Sequence, residues 1–301
     1  MTTAVETKEE LAAATIGAPK RGVVYKIGNV LGNGAVQVLL VLVALFWLMP
    51  SVGLLVASFR TSQDTASSGW WTILSKLPQL TADNYTNLLQ DQSMLDALGN
   101  TVLITVPATL LVVLISAGAA YAFAWMEFPG RDWIFLIVVA LIVVPIQVGL
   151  IPNAKMFGAI GIFGTATAAV LFHVAFGLPF AIFLLRNFFI GIPRDLLEAA
   201  RMDGGKEFTI FRKVVLPLGW PAIASLAIFQ FLWVWNDLLV AQVFASEAKP
   251  ITVALREQTR QFGGSIDIIA PGVFLSMIVP LVVFFAFQRY FVQGVLAGSV
   301  K

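Results

Sequence analysis

An all-α integral membrane protein with six transmembrane helices and both termini in the cytoplasm is the fold class that three features of this sequence predict. The 301 residues are 58% hydrophobic and 12% charged, with a mean hydropathy of +0.87, whereas about a quarter of the residues in a soluble domain are charged. The 24 Phe and 8 Trp supply more apolar surface than one globular core hides, which makes lipid the natural solvent. Finally, six apolar stretches reach the roughly 20 residues needed to cross a hydrocarbon layer of about 30 Å.

The first stretch, 35–59, and the second, 98–126, are free of charge. The third runs over 133–153 and the fourth over 165–185. The fifth covers 218–240, fading at Asn236 and Asp237, and the sixth covers 270–288. Together they make one transmembrane domain over 27–301. Residues 1–26 are polar and alanine-rich, without a short apolar core and cleavage site, so they predict a loose cytoplasmic tail and no signal peptide. Pro50, Pro107, Pro145, Pro179 and Pro280 fall inside spans, where each removes a backbone donor and predicts bends beside internal cavities.

Orientation follows from the 19 Lys and Arg. With the N-terminus inside, only Arg60, Lys76, Lys155, Lys249, Arg256 and Arg260 lie outside, and the positive-inside bias selects that topology. The segment 191–217 is then cytoplasmic. A net charge of +2 and the absence of cysteine argue against a nucleic-acid partner and exclude disulfides and thiolate metal sites.

Within that segment stands EAARMDGGKEF, residues 198–208. Pro193 and Asp195 suit a first helical turn. Ala199 and Ala200 permit close approach by another surface, and Asp203-Gly204-Gly205 ends the helix. A second helix from Lys206 places Phe208, Phe211 and Val215 on one face, with Leu216-Pro217 closing it. Glu198 and Arg201, three residues apart, can pair on one face, a weak interaction, and are better read as contacts for a partner. No G-x-x-x-x-G-K-[ST] loop exists: Gly205-Lys206 is followed by Glu207 and preceded by Ala200 where the first glycine belongs. The chain therefore has no phosphate cradle of its own.

The run EAARMDGGKEFTIFRKVVLP, residues 198–217, resembles the EAA loop of binding-protein-dependent ABC importer permeases. It matches at Glu198, Ala199, Ala200, Asp203, Gly204, Leu216 and Pro217, and departs at Gly205 and Val214, where alanine and isoleucine are commoner. PIQVGLIP (145–152), LRNFFIGIPRDLLEAA (185–200), WVWNDLLVA (233–241), KPITVAL (249–255) and FQRYFVQGVLAGSVK (287–301) are similar to the carbohydrate permeases of the maltose-transporter class, the MalG-like subunit in particular.

The resemblance implies a type I importer permease fold and a multi-pass protein of the cell membrane. It implies half of a pore, paired with a second homologous permease, two cytoplasmic ATPase subunits and an extracytoplasmic sugar-binding protein. The EAA loop, with Glu198, Ala199, Ala200, Arg201, Asp203, Gly204, Leu216 and Pro217, becomes the coupling helix seated in an ATPase cleft. ATP and magnesium stay on the partner, and no cofactor or metal is expected on this chain. The implied cargo is a sugar, with oligosaccharides or α-glucosides favoured and another solute as the alternative.

Polar groups inside spans are costly and default to functional candidates. Gln230, Trp233 and Asp237 recur at i, i+3, i+7 on the fifth span with Asn236 beside them, a mixture that suits sugar C–H faces and hydroxyls. Gln230 is nearest mid-depth. Gln147 follows the Pro145 kink, and His173, the single histidine, is expected to make a packing hydrogen bond. Trp70, Trp71, Asp83 and Tyr85 in one outer loop, and Arg256, Gln258, Arg260 and Gln261 in the other, are candidates to meet the binding protein. An ion-coupled transporter would need acids at mid-membrane, and an intramembrane enzyme would need a nucleophile–base set. Neither pattern is present.

Overall fold

The computed structural model describes residues 23–75, 80–261 and 266–299. Most of the expected tail, residues 1–22, lies outside them, as does Lys76. The last residues assigned to the tail, 23–26, are helical, within helix α1, Val23–Ser58. The chain divides into two compact units, 1–54 and 55–301. The first holds most of the apolar length of α1, which is long enough to cross a membrane.

The second unit contains α2 (Ser62–Ser67), a 3-10 turn (Trp70–Leu74), α3 (Asp83–Gln90), α4 (Gln92–Trp125), α5 (Arg131–Leu141) and α6 (Ile146–Ala159). It continues with α7 (Ala166–Ile190), α8 (Arg194–Met202) and α9 (Glu207–Ile210). A π-helical turn (Phe211–Val215) then leads into α10 (Leu216–Trp235). Last come α11 (Leu239–Phe244), α12 (Ile251–Gln261) and α13 (Ile266–Ser299). Among the described residues the only strand-like feature is an isolated bridge between Arg60 and Leu80.

Five helices are long and apolar enough to cross a membrane, and the pair α5–α6 makes a sixth span if counted as one. That pair carries the bend that Pro145 predicts in the third span, 133–153, and sharpens it to a break of 100° between two helices. Pro145 is the cause. It sits before α6 in an extended conformation, φ −62° and ψ 134°, has no amide hydrogen to continue a ladder, and disfavours helix in the residue before it. Pro107 and Pro179 stay inside their helices. The fifth span is corrected: α10 ends at Trp235, so 236–240 lie outside it. The sixth span, Ile268–Gln288, agrees with 270–288, and the helix that carries it continues to Ser299.

The core forms where α4 packs on α7 and α10 packs on both and on α13. Small side chains allow it. Ala108, Ala120, Ala168, Ala169 and Ala181 are wholly buried, and close packing of such residues drives helix association in lipid. Gly219 shows how tight the fit is, since an added Cβ would lie 2.6 Å from the Phe189 ring. At the end opposite α8, Ile251 N–H donates to Thr101 Oγ1 at 2.9 Å and Asn100 donates to the Lys249 carbonyl at 3.2 Å. These bonds dock the KPITVAL segment onto α4. Arg60, counted above as a loop charge, is wholly buried and donates to the Asp64 and Ser68 carbonyls. It staples its own loop together.

Candidate functional site

The segment 191–217 folds into a knuckle at one end of the bundle. α8 buries Leu197 completely and leaves Leu196, Glu198, Ala199 and Met202 outward, while Ala200 is half-buried against the core. Gly204 takes the left-handed conformation at φ 79°, which glycine adopts without a Cβ penalty. The next turn returns tightly: Gly205 N–H donates to the Ala200 carbonyl at 3.0 Å, and a Cβ at Gly205 would sit 2.7 Å from that oxygen.

The second helix departs from its expected face. Phe208 is 72% exposed, whereas Ile210 and Val215 are buried and Phe211 packs against Tyr121 at 5.1 Å between ring centroids. The π-helical turn at Phe211–Val215 adds a residue per turn and so breaks the 3.6-residue spacing on which that face was read. Leu216 is half-buried at the start of α10, and Pro217 is exposed in its first turn.

The Glu198–Arg201 pair that the spacing allows does not form. Glu198 accepts from Arg194 Nε at 2.9 Å on the exposed side. Arg201 turns inward, donating to Glu207 Oε1 at 3.0 Å and to the Trp125 carbonyl at 3.2 Å. The physical reason lies at the C-terminus of α4, whose last carbonyls lack helical partners and carry the negative end of the dipole. Arg186 satisfies a neighbouring carbonyl there, donating to Phe123 O at 3.3 Å. Tyr121 Oη donates to Glu207 Oε2, and Trp125 Nε1 donates to the Phe189 carbonyl at 3.1 Å. The hydrogen bond and charge of Glu207 hold the Arg201 guanidinium above its ordinary pKa range. Glu207 stood inside the quoted run without any signal of its role, and nothing in sequence pointed to Tyr121 or Trp125.

The candidate pathway residues separate. Gln230 and Trp233 line a cavity of about 300 Å³ between α7 and α10, together with Phe176, Gly177 and Phe180. Asp237 does not join them, because the helix has ended. It caps α11 instead, accepting from Val240 N–H at 3.3 Å and Ala241 N–H at 2.8 Å. Asn236 is exposed and donates to the Leu232 carbonyl of its own helix. His173 is buried, and its two ring nitrogens have no hydrogen-bond partner, which corrects the expected packing bond. Its ring lies edge-on to Trp233 at 5.1 Å, with Nε2 3.6 Å from Asp237 Oδ2. Gln147 is exposed at the start of α6. Among the described residues no three His, Cys, Asp or Glu side chains gather as a metal site would require.

Comparison with known proteins gives this arrangement a family. Residues 112–297 match the model of the binding-protein-dependent transport system inner membrane component. The osmoprotective compounds uptake permease protein GgtD of Synechocystis sp. is 46% identical over 272 residues, 88% of this chain and 91% of that protein. The α-glucoside transport system permease protein AglG of Rhizobium meliloti is 47% identical over 232 residues, 74% of this chain and 61% of AglG. Among solved structures, a bacterial alginate ABC transporter in complex with a pentasaccharide-bound periplasmic protein contains a chain of the same fold. It has TM-score 0.65 at 16% identity and covers 87% of this chain and 95% of its own. A folded knuckle beside apolar spans, together with these likenesses, leads to one assignment: the chain belongs to the binding-protein-dependent transport system inner membrane components and is a multi-pass sugar-ABC-transporter-type permease of the cell membrane.

Proposed function

We propose that this chain is half of the translocation pathway of an ATP-driven importer for a neutral sugar, with an oligosaccharide or α-glucoside as cargo. The knuckle at 191–217 is its coupling element. The observation that carries the reading is the two-sided character of α8: Leu197 is sealed into the bundle while Leu196, Ala199 and Met202 face outward. Such a surface suits a cleft on a nucleotide-hydrolysing partner. Arg201, fixed to α4 through the Trp125 carbonyl, passes any push on α8 straight to a span. Names among the relatives support the cargo class, since they include permeases for α-glucosides, arabinooligosaccharides and trehalose.

The partners on this reading are a second homologous permease, two cytoplasmic ATPase subunits and an extracytoplasmic sugar-binding protein, which closes on the ends of the spans away from the knuckle. ATP and magnesium remain on the ATPase, because this chain has no phosphate-binding loop. The reading is tested by uptake into proteoliposomes holding the full complex, with and without ATP inside and binding protein outside. A panel of α-glucosides, other oligosaccharides and osmoprotective solutes sorts the cargo. Uptake of a sugar that requires both ATP and binding protein is expected. Uptake driven by an ion gradient without ATP contradicts the proposal.

A further inference from the structure

We propose that the cavity between α7 and α10 is a subsite for one uncharged sugar ring of the cargo, held by the Gln230 amide and an aromatic rim. The inference rests on the importer reading and adds to it a place and a chemistry for solute contact on this subunit.

Gln230 is 5% exposed, and its Nε2 has no hydrogen-bond partner. An amide donor left unpaired in an apolar setting costs on the order of 1–3 kcal/mol, so its retention in a membrane span calls for an acceptor that arrives from elsewhere. The neighbouring helix makes room for it. Gly177 lacks a side chain where a Cβ would come within 2.9 Å of Nε2, so the amide lies flat against α7 at the cavity wall.

The remaining wall describes the ligand. Phe180 and Trp233 line the cavity while remaining partly exposed, and no lining side chain carries charge. Phe176 is stacked on Phe172 at 4.5 Å and 17°, and Trp233 is braced edge-on by buried His173. Rigid aromatic faces beside a single amide suit a ring with an apolar C–H face and hydroxyl acceptors. A carboxylate or an ammonium group would find no counter-charge here. The volume of about 300 Å³ stands at the lower end of ligand pockets, enough for a single ring of a longer chain. Lipid tails would leave the amide unpaired, which sets them apart as occupants.

The test is uptake by the complete reconstituted complex of maltose and trehalose, and of monodeoxy derivatives of whichever is carried, at saturating binding protein. A site built to hydrogen-bond one hydroxyl discriminates against the analogue that lacks it. For the unaltered complex, one deoxy position is expected to lower uptake about ten-fold, which corresponds to roughly 1.4 kcal/mol. In Gln230→Met, which keeps the side chain's length, uptake of the parent sugar falls by a similar factor and the penalty at that position disappears. Gly177→Ala, which displaces the amide without removing it, gives a partial version of the same pattern.

Two results overturn the subsite. One is a deoxy penalty that Gln230→Met leaves unchanged. The other is an equal loss for every analogue with poorer co-purification of the subunits, which would make Gln230 a packing contact to the second permease. Failure of the importer reading looks different: the unaltered complex then carries no sugar at all, which overturns the subsite with it.

Discussion

The knuckle and the α7–α10 cavity treat polar groups in opposite ways. At the knuckle Arg201, Glu207, Tyr121 and the Trp125 carbonyl are tied into one network, and Glu198 has Arg194. Around the cavity, Gln230 Nε2 is buried without a hydrogen-bond partner, and the ring nitrogens of His173 make no hydrogen bond, with Nε2 3.6 Å from Asp237 Oδ2. A fully bonded network resists deformation and suits an element that must move as a unit. A buried donor without a partner suits a surface that acquires one in use. On the proposed reading the contrast separates where force is carried from where cargo is felt, although the knuckle is the link between α7 and α10, the two helices that wall the cavity.

The largest effect expected from breaking the rigid side is at Leu197, the wholly buried anchor of α8. Leu197→Asp puts an unpaired charge into that core; even loss of the side chain alone at such a site costs about 2–5 kcal/mol. Uptake and co-purification of the ATPase should both be lost while the spans still insert, as judged by membrane fractionation.

Next comes Gly204. Its Cβ direction is open, with no atom within 4 Å, but its φ is +79°. Gly204→Ala is therefore expected to cost about 1 kcal/mol in local strain and to keep most uptake. Gly204→Arg adds a long charged side chain to the outward surface and should abolish uptake without removing the protein from the membrane. Equal activity of the two variants would show that nothing docks there.

Glu207→Gln removes the charge that Arg201 faces. The pair is more than a third exposed on both sides, so solvent screening limits its worth to roughly 1 kcal/mol or less. Uptake should fall a few-fold, with ATPase association retained. The smallest effect is expected on the other side of the comparison. His173→Phe deletes two ring nitrogens that make no hydrogen bond, along with the 3.6 Å approach of Nε2 to Asp237, and preserves an aromatic ring against Trp233. Its thermal stability should change by less than about 1.5 kcal/mol. A large loss there would mean that the imidazole is bonded in the assembly, which would weaken the contrast.

Sequence reading reached the two regions unequally. The knuckle was legible because its signals are local: a proline and acid that open a helix, alanines, and an Asp-Gly-Gly stop fall within about a dozen residues. Even there the pairing of Arg201 was missed. An i, i+3 partner is visible in the sequence, whereas the carbonyls at the end of α4 lie 76 residues away. The spans were legible through hydropathy and the bend at Pro145 through the proline itself, but neither carries an angle, so the size of the 100° break was not. Asp237 shared a helical face with Gln230 only while the helix was taken to continue past Trp235. The cavity was half legible. Gln230 and Trp233 stood out as polar or amphipathic groups in a span, but Gly177 and Phe180 became their neighbours only through the packing of α7 on α10.

The claim that the knuckle transmits force from a separate motor is tested most directly by cross-linking at Met202, which is 88% exposed on α8. The chain contains no cysteine, so Met202→Cys gives a single reactive site. In intact membranes of cells expressing the complete transporter, it should capture an ATP-hydrolysing subunit, with a yield that changes when ATP or a non-hydrolysable analogue is added. Capture of no nucleotide-binding protein, under conditions in which the same variant still imports its sugar, would contradict the account.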